Sequence, residues 1–310
     1  MPRLFDAFIA KQPAVPSSQT NPVGQTQRIK RTRSLIAADI RRARDMVLGH
    51  VEGWQYTIAN EMRANAFYDF FVDTAQLEAI VDAIQRALAG GAGADGVRQA
   101  AAGAYREGTA RAVDNLAGLS SDYPRKAVQR LADGDVLRRA TMAGARAFEQ
   151  MSGFAAQVAK DLSRVLFDAV QSGENPRQTA RIIRDRFKIS LARALMIART
   201  EITMAHRRGR WDEARDAEER FGIRTMLLHN SALIAGRTRR THAARHGGLF
   251  TREEEAAWYS TDGNAINCLC SQTEVTVDKN GKPLFGEKLI ARMAERRTQF
   301  IAAGVEPGST

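Results

Sequence analysis

Four side chains in the last quarter of the chain have types and spacing that could do chemistry: His242, His246, Cys268 and Cys270. They include both cysteines of the 310 residues, and three of the five histidines fall between positions 229 and 270. His242 and His246 are four apart, so on a helical turn both imidazoles point the same way and can share one metal. Two histidines and two thiolates match a tetrahedral Zn²⁺ set in number and type. Structural zinc sites usually place two or more residues between cysteines, so this Cys-x-Cys segment must turn tightly to chelate. The same residues have a second reading, a buried thiol pair with hydrogen-bonded histidines in a small core and no ion. A catalytic metal is disfavoured because no acidic ligand accompanies the set.

Other chemistry is sparser. Arg199 and Glu201 are two apart, face different sides of a helix and cannot pair with each other. Each is expected to pin a neighbouring element through an ion pair, Arg199 to the Asp or Glu of a facing helix. A Glu with no clustered acid, base or nucleophile is a poor catalyst. Gly90-Gly91-Ala92-Gly93 ends a helix and lacks the lysine of a phosphate-binding loop, and no Gly-x-Ser-x-Gly elbow occurs. The net charge of +11 favours polyanionic partners. Basic residues gather at Arg28, Lys30, Arg31, Arg33, Arg41, Arg42 and Arg44. Smaller groups are Arg237, Arg239, Arg240 and Arg245, then Arg292, Arg296 and Arg297. Phosphate binding needs only positive charge within reach, and no base-reading module is present, so DNA would be held without sequence preference. Two cysteines make no disulfide framework, and no stretch approaches the ~20 apolar residues that span a membrane. A soluble protein of a reducing cytoplasm is expected.

Four motifs occur in a fixed order: Ala198-Arg199-Thr200-Glu201 in a helical pattern, a short strand, the Arg237-Thr238-Arg239…His242…Gly247 block, and Asn267-Cys268-Leu269-Cys270. Over roughly residues 180 to 275 this order resembles the Mu F-like phage head morphogenesis family, the minor head proteins of tailed phages. The resemblance implies a structural protein and no enzyme. It implies a chain that enters the procapsid, associates with the portal, and assists head morphogenesis and DNA packaging or ejection. Portal, capsid or scaffold proteins would be its partners, double-stranded DNA a non-specific one, and the head interior of the virion its location. Two alternatives stand beside it: a metal-dependent DNA-processing enzyme using His242, His246, Cys268 and Cys270, and a stand-alone non-specific DNA-binding protein.

The elements that must position these residues are mostly helices. Abundant alanine and only 7% aromatics favour helices packed through small residues. The expected architecture is mainly α, an elongated helical N-terminal body followed by a small α+β C-terminal module. Residues 1–27 read as an extended arm broken by Pro13, Pro16 and Pro22. Residues 28–175 read as a helical domain, 176–285 as the Mu F-like module of helices, short strands and a hairpin, and 286–310 as a basic helix and tail. The stripe Ile36, Ile40, Ala43, Val47, Val51, Trp54, Ile58 predicts the first long helix. Leu77, Ile80, Ile84 and Leu88 predict the second, ending at Gly90. A helix over 94–118 contains Gly103 and Gly108, each costing about 1 kcal/mol relative to alanine unless close packing needs it. Asp122-Tyr123-Pro124 suggests a short helix start, and Val136 to Ser172 a long helix. Asn175-Pro176 caps the next helix, and Ser190 is expected to cap another that ends near Gly222. Ile223 to Leu228 reads as a strand, and Thr251…Glu254 as a helix cap. Thr273–Val277 and Lys282–Phe285 read as a hairpin around Asn280-Gly281, followed by a helix over 288–303.

Overall fold

The computed structural model describes residues 23–58, 68–124 and 126–304. The fold is mainly helical with one small three-stranded sheet near the C-terminus. The arm expected at 1–27 lies outside the described residues up to position 22. Its last residues belong to α1, Val23–Glu52. The chain groups into two compact units: Lys30–Gln99 with Ala145–Ala198, and Ala100–Gly144 with residues 199–304 and the described residues before Lys30.

In the first unit, Ile36, Ile40, Ala43, Val47 and Val51 form the buried stripe of α1. The stripe stops there. Ile58 is 43% exposed in a short strand, β1 (Tyr56–Ile58), paired antiparallel with β2 (Tyr68–Phe70). Aromatic spacing explains the change: Trp54 meets Phe70 at 5.3 Å and Tyr56 meets Tyr68 at 5.2 Å, edge to face, so the segment gains more by pairing than by continuing the helix. Helix α2 (Thr74–Ala89) buries Leu77, Ile80, Ile84 and Leu88 and starts with a reciprocal Asp73–Gln76 cap. Gly93 N–H donates to the buried Asp39 carboxylate at 2.6 Å, at the start of α3 (Ala92–Leu119). Burial raises the Asp39 pKa, against the Gly93 hydrogen bond and the Arg42 charge.

The second unit is organised on the C-terminal half of α6 (Pro176–Phe221). Asn175 caps it, its Oδ1 accepting from Arg177 N–H at 2.9 Å. Ser190 does not start a new helix. Its hydroxyl donates to the Arg186 carbonyl at 2.8 Å, and the helix runs on unbroken to Gly222, whose φ of 68° ends it. Between 199 and 217 the helix is enclosed on nearly every side, burying Arg207, Arg210, Glu213 and Asp216 along with Ile202 and Trp211. Charges at this depth persist only with partners. Arg210 pairs with Glu274, while Glu213 and Asp216 pair with Arg130.

Arg130 comes from α4 (Ala127–Arg130), which starts three residues after Pro124 rather than on it. Helix α5, Gly134–Ser172, follows. Gly108 on α3 and Gly209 on α6 meet where backbones nearly touch: a Cβ at Gly108 would lie 2.0 Å from the His206 carbonyl oxygen, and one at Gly209 2.1 Å from that of Tyr105. The close packing that excuses a helical glycine is present at Gly108.

Strand β3 (Thr225–Asn230) is the centre of the three-stranded antiparallel sheet, flanked by β4 (Leu249–Phe250) and β5 (Ser271–Thr276). Between β3 and β4 lies the short helix α7, Arg240–Ala244, and between β4 and β5 lies α8, Arg252–Ser260. The reciprocal Thr251–Glu254 cap starts α8. The expected hairpin is reduced to a turn closed by a Val277–Pro283 bridge, and β5 pairs with β3 instead. Helix α9, Glu287–Ala302, completes the unit.

Candidate functional site

Three of the four candidate metal ligands come together. His242 on α7 places Nδ1 3.4 Å from Cys268 Sγ and 3.4 Å from Cys270 Sγ. The three donor atoms lie within 4.8 Å of one another, and all three residues are buried. His246 is not in the group. Helix α7 ends at Ala244, so the four-residue spacing no longer aligns the two rings, and His246 Nδ1 accepts from Ser231 N–H at 3.1 Å. Burial pushes its pKa down to about 4, and the nearby His229, Arg296 and Arg297 act in the same direction.

The remaining motif residues position this group. Arg239 donates to the carbonyls of Gly263 at 3.0 Å and Asn264 at 2.9 Å, which pins the loop leading to the cysteines. Asn267 turns that loop with a φ of 53°, a left-handed conformation that asparagine tolerates. Its Oδ1 accepts from Arg199 at 2.9 Å, and its N–H donates to Thr200 Oγ1 at 3.0 Å. Arg199 does pin a neighbouring element, and the Asn267 side-chain amide is one of its partners. Two consecutive residues of α6 thus fix the turn from which Cys268 and Cys270 project.

Sequence reasoning missed the groups that surround the donors. Arg207 Nη2 donates to the Cys270 carbonyl at 2.7 Å, and its guanidinium lies 4.2 Å over the Tyr259 ring. Trp258 stands edge-on to His242 at 4.6 Å. Behind it is a second buried set, in which Glu255 accepts from Arg245 at 3.1 Å and contacts His229 Nδ1 at 2.8 Å. Gln272 donates to the Tyr259 hydroxyl at 2.8 Å. On β5 the inward positions are Gln272, Glu274 and Thr276, a polar face that apolar-pattern reading assigns to solvent. The i, i+3 spacing of Arg207 and Arg210, which puts them on one helical face, is a signal in the sequence that points to such a cluster.

The thiols titrate as a pair. Burial opposes ionisation of Cys268, but the Cys270 hydrogen bond and the Arg207 charge hold its pKa well below the usual thiol range. Cys270, hydrogen-bonded to that sulfur and buried, is pushed well above it. The opposite directions belong to the pair, whose two sulfurs interact, and the Arg207 charge favours ionisation of both. This arrangement suits a structural thiol pair or a soft-metal donor set. Both sulfurs are buried, at 4% exposure each.

The basic residues separate into two kinds. Arg239 and Arg245 of the central block, and Arg297 of α9, bond to groups inside their own unit. On α1, Arg28 pairs with Glu107, Arg42 with Asp39 and Arg44 with Asp45. Lys30, Arg31, Arg41 and Arg42 remain exposed, and Arg33 is half-buried. Lys30, Arg33, Ser34, Ala37 and Arg41 share one helical face and, with Leu195, line an open cavity of about 320 Å³.

No curated protein and no solved structure matches the chain. The family model described as Phage Mu protein F like protein matches residues 160–273, a span that includes α6, the β3–β4 strands, α7, α8 and both cysteines. That segment, the one holding His242, Cys268 and Cys270 together, is the part of the chain that is similar to the Mu F-like family.

Proposed function

We propose that the protein is a minor head protein of a tailed phage, associated with the portal inside the procapsid, that assists head morphogenesis and DNA packaging or ejection. The observation that carries this reading is the Mu F-like segment at 160–273. A structural rather than catalytic role is supported by the use of its motifs. Arg199, Arg239 and Asn267 brace the loop, and His242, Cys268 and Cys270 are each no more than 4% exposed. A location in the head interior of the virion belongs to the same reading, as does a structural zinc ion held by those three donors. Portal and capsid genes beside the coding gene would favour it over a stand-alone DNA-binding protein.

Non-specific contact with double-stranded DNA is the second part of the proposal, supported by the +11 charge and the exposed basic residues of α1. Such binding is driven by counterion release, so raising salt from roughly 50 to 200 mM should abolish most of it. Replacing Arg41, Arg42 and Arg44 with Glu should weaken binding to all sequences alike and flatten the salt slope by about three phosphate contacts. Filter-binding or anisotropy titrations across salt provide the check. Binding that ignores salt, or survives the triple replacement unchanged, would remove α1 as the DNA-contacting face.

A further inference from the structure

We infer that His242, Cys268 and Cys270 form a three-residue site for a thiophilic divalent cation of the zinc type, with His246 excluded. The inference deepens the structural-zinc part of the proposed function and rests on it, but not on portal association or DNA contact.

The distances carry the argument. Zinc bonds sulfur at about 2.3 Å and imidazole nitrogen at about 2.0–2.1 Å, so tetrahedral angles separate a nitrogen from a sulfur ligand by about 3.5 Å. Both Nδ1–Sγ distances here are 3.4 Å. The imidazole nitrogen therefore stands at ligand spacing from both sulfurs, and all three donor atoms lie within 4.8 Å of one another. The tight turn demanded by a single intervening residue is supplied by Asn267 in its left-handed conformation and by the Arg199 and Thr200 contacts that hold it. Thiolate sulfur and imidazole nitrogen select zinc-like ions over magnesium or calcium, which take oxygen. Among the described residues no other His, Cys, Asp or Glu joins the three.

Burial gives the ion a consequence. His242 is on α7, whereas the cysteines immediately precede β5, so one ion would tie together two segments 26 residues apart in sequence. The second unit's apolar cluster at this place is small: Met204, Trp211, Leu227 and Tyr259 with the two cysteines themselves. An ion bound there adds its binding free energy to folding of the unit.

The test uses the full chain purified under reducing conditions from zinc-supplemented medium, with metal content measured by elemental analysis. About one zinc per chain is expected in the wild type and in His246→Ala, and less than a tenth of that in the Cys268→Ser/Cys270→Ser double variant. Should the double variant fail to fold, Co²⁺ exchanged into the wild-type chain probes the same donors, through thiolate-to-cobalt charge-transfer bands and the visible bands of four-coordinate cobalt. Absence of zinc together with absence of those bands overturns the site. Loss of zinc in His246→Ala overturns the three-residue assignment. Head incorporation is read separately: a metal-free chain still found in heads sinks the site alone, and a metal-loaded chain absent from heads sinks only the functional reading.

Discussion

Replacing Arg130 with methionine is expected to destabilise the second unit by about 3–5 kcal/mol, the usual cost of removing one partner from a buried charge network. Arg130 is fully buried and reaches Glu213 at 2.6 Å, Asp135 at 2.8 Å, Asp133 at 2.9 Å, and Asp216. Methionine fills similar volume but leaves the Glu213 carboxylate with Tyr123 at 2.5 Å and Asp216 with Arg139 at 3.1 Å among its partners, without the central cation. For a unit of this size the melting temperature should drop by roughly 6–20 °C. Adding Glu213→Gln should recover part of the loss, because it removes a charge that lost its partner. A loss under about 1 kcal/mol, the value of an exposed pair, would show that the network is hydrated.

The same network gives stability a pH dependence. The Arg130 hydrogen bond, against the cost of burial, lowers the Asp135 pKa from 3.8 to about 2. A depressed carboxylate stabilises the fold above its unfolded pKa, so this contribution is complete above about pH 4 and disappears as pH falls towards 2. Arg130→Met should abolish that part of the acid sensitivity.

Gly108→Ala is expected to destabilise the protein although alanine favours helices by about 1 kcal/mol. Its Cβ would lie 2.0 Å from the His206 carbonyl oxygen, a backbone atom that can move only by shifting α6. Overpacking of this kind costs typically ~1–3 kcal/mol and occasionally more, so the clash outweighs the propensity gain. Gly118→Ala is the control, since no atom lies within 4 Å of its Cβ position, and it should stabilise slightly. Denaturant midpoints for the two variants decide the matter; equal, stabilising shifts would mean the helices do not cross this closely.

These two sites also show what the sequence makes legible. Signals that act within a few residues were readable: Asn175-Pro176, Gly222, and the Thr251–Glu254 cap all stand where local chemistry places them. Ser190 misled because a serine hydroxyl can equally bond back to a carbonyl within a continuing helix. What depends on distant partners was hidden. Nothing near Arg130, Arg207, Glu213 and Glu274 in sequence sets them apart from surface charges; their burial depends on partners distant in the chain. The metal candidates were half legible. Residue type singled out His242 with Cys268 and Cys270, but the place of His246 depended on where α7 stops.

The central proposal is that this chain is a component of the phage head. The most direct measurement is quantitative mass spectrometry of procapsids and mature heads purified from infected or induced cells, alongside portal-containing complexes from the same lysate. The account predicts the chain in procapsids at a reproducible ratio to the portal, and its recovery with portal complexes. Its absence from procapsids, mature heads and portal complexes, while it accumulates in the same cells, would contradict the account.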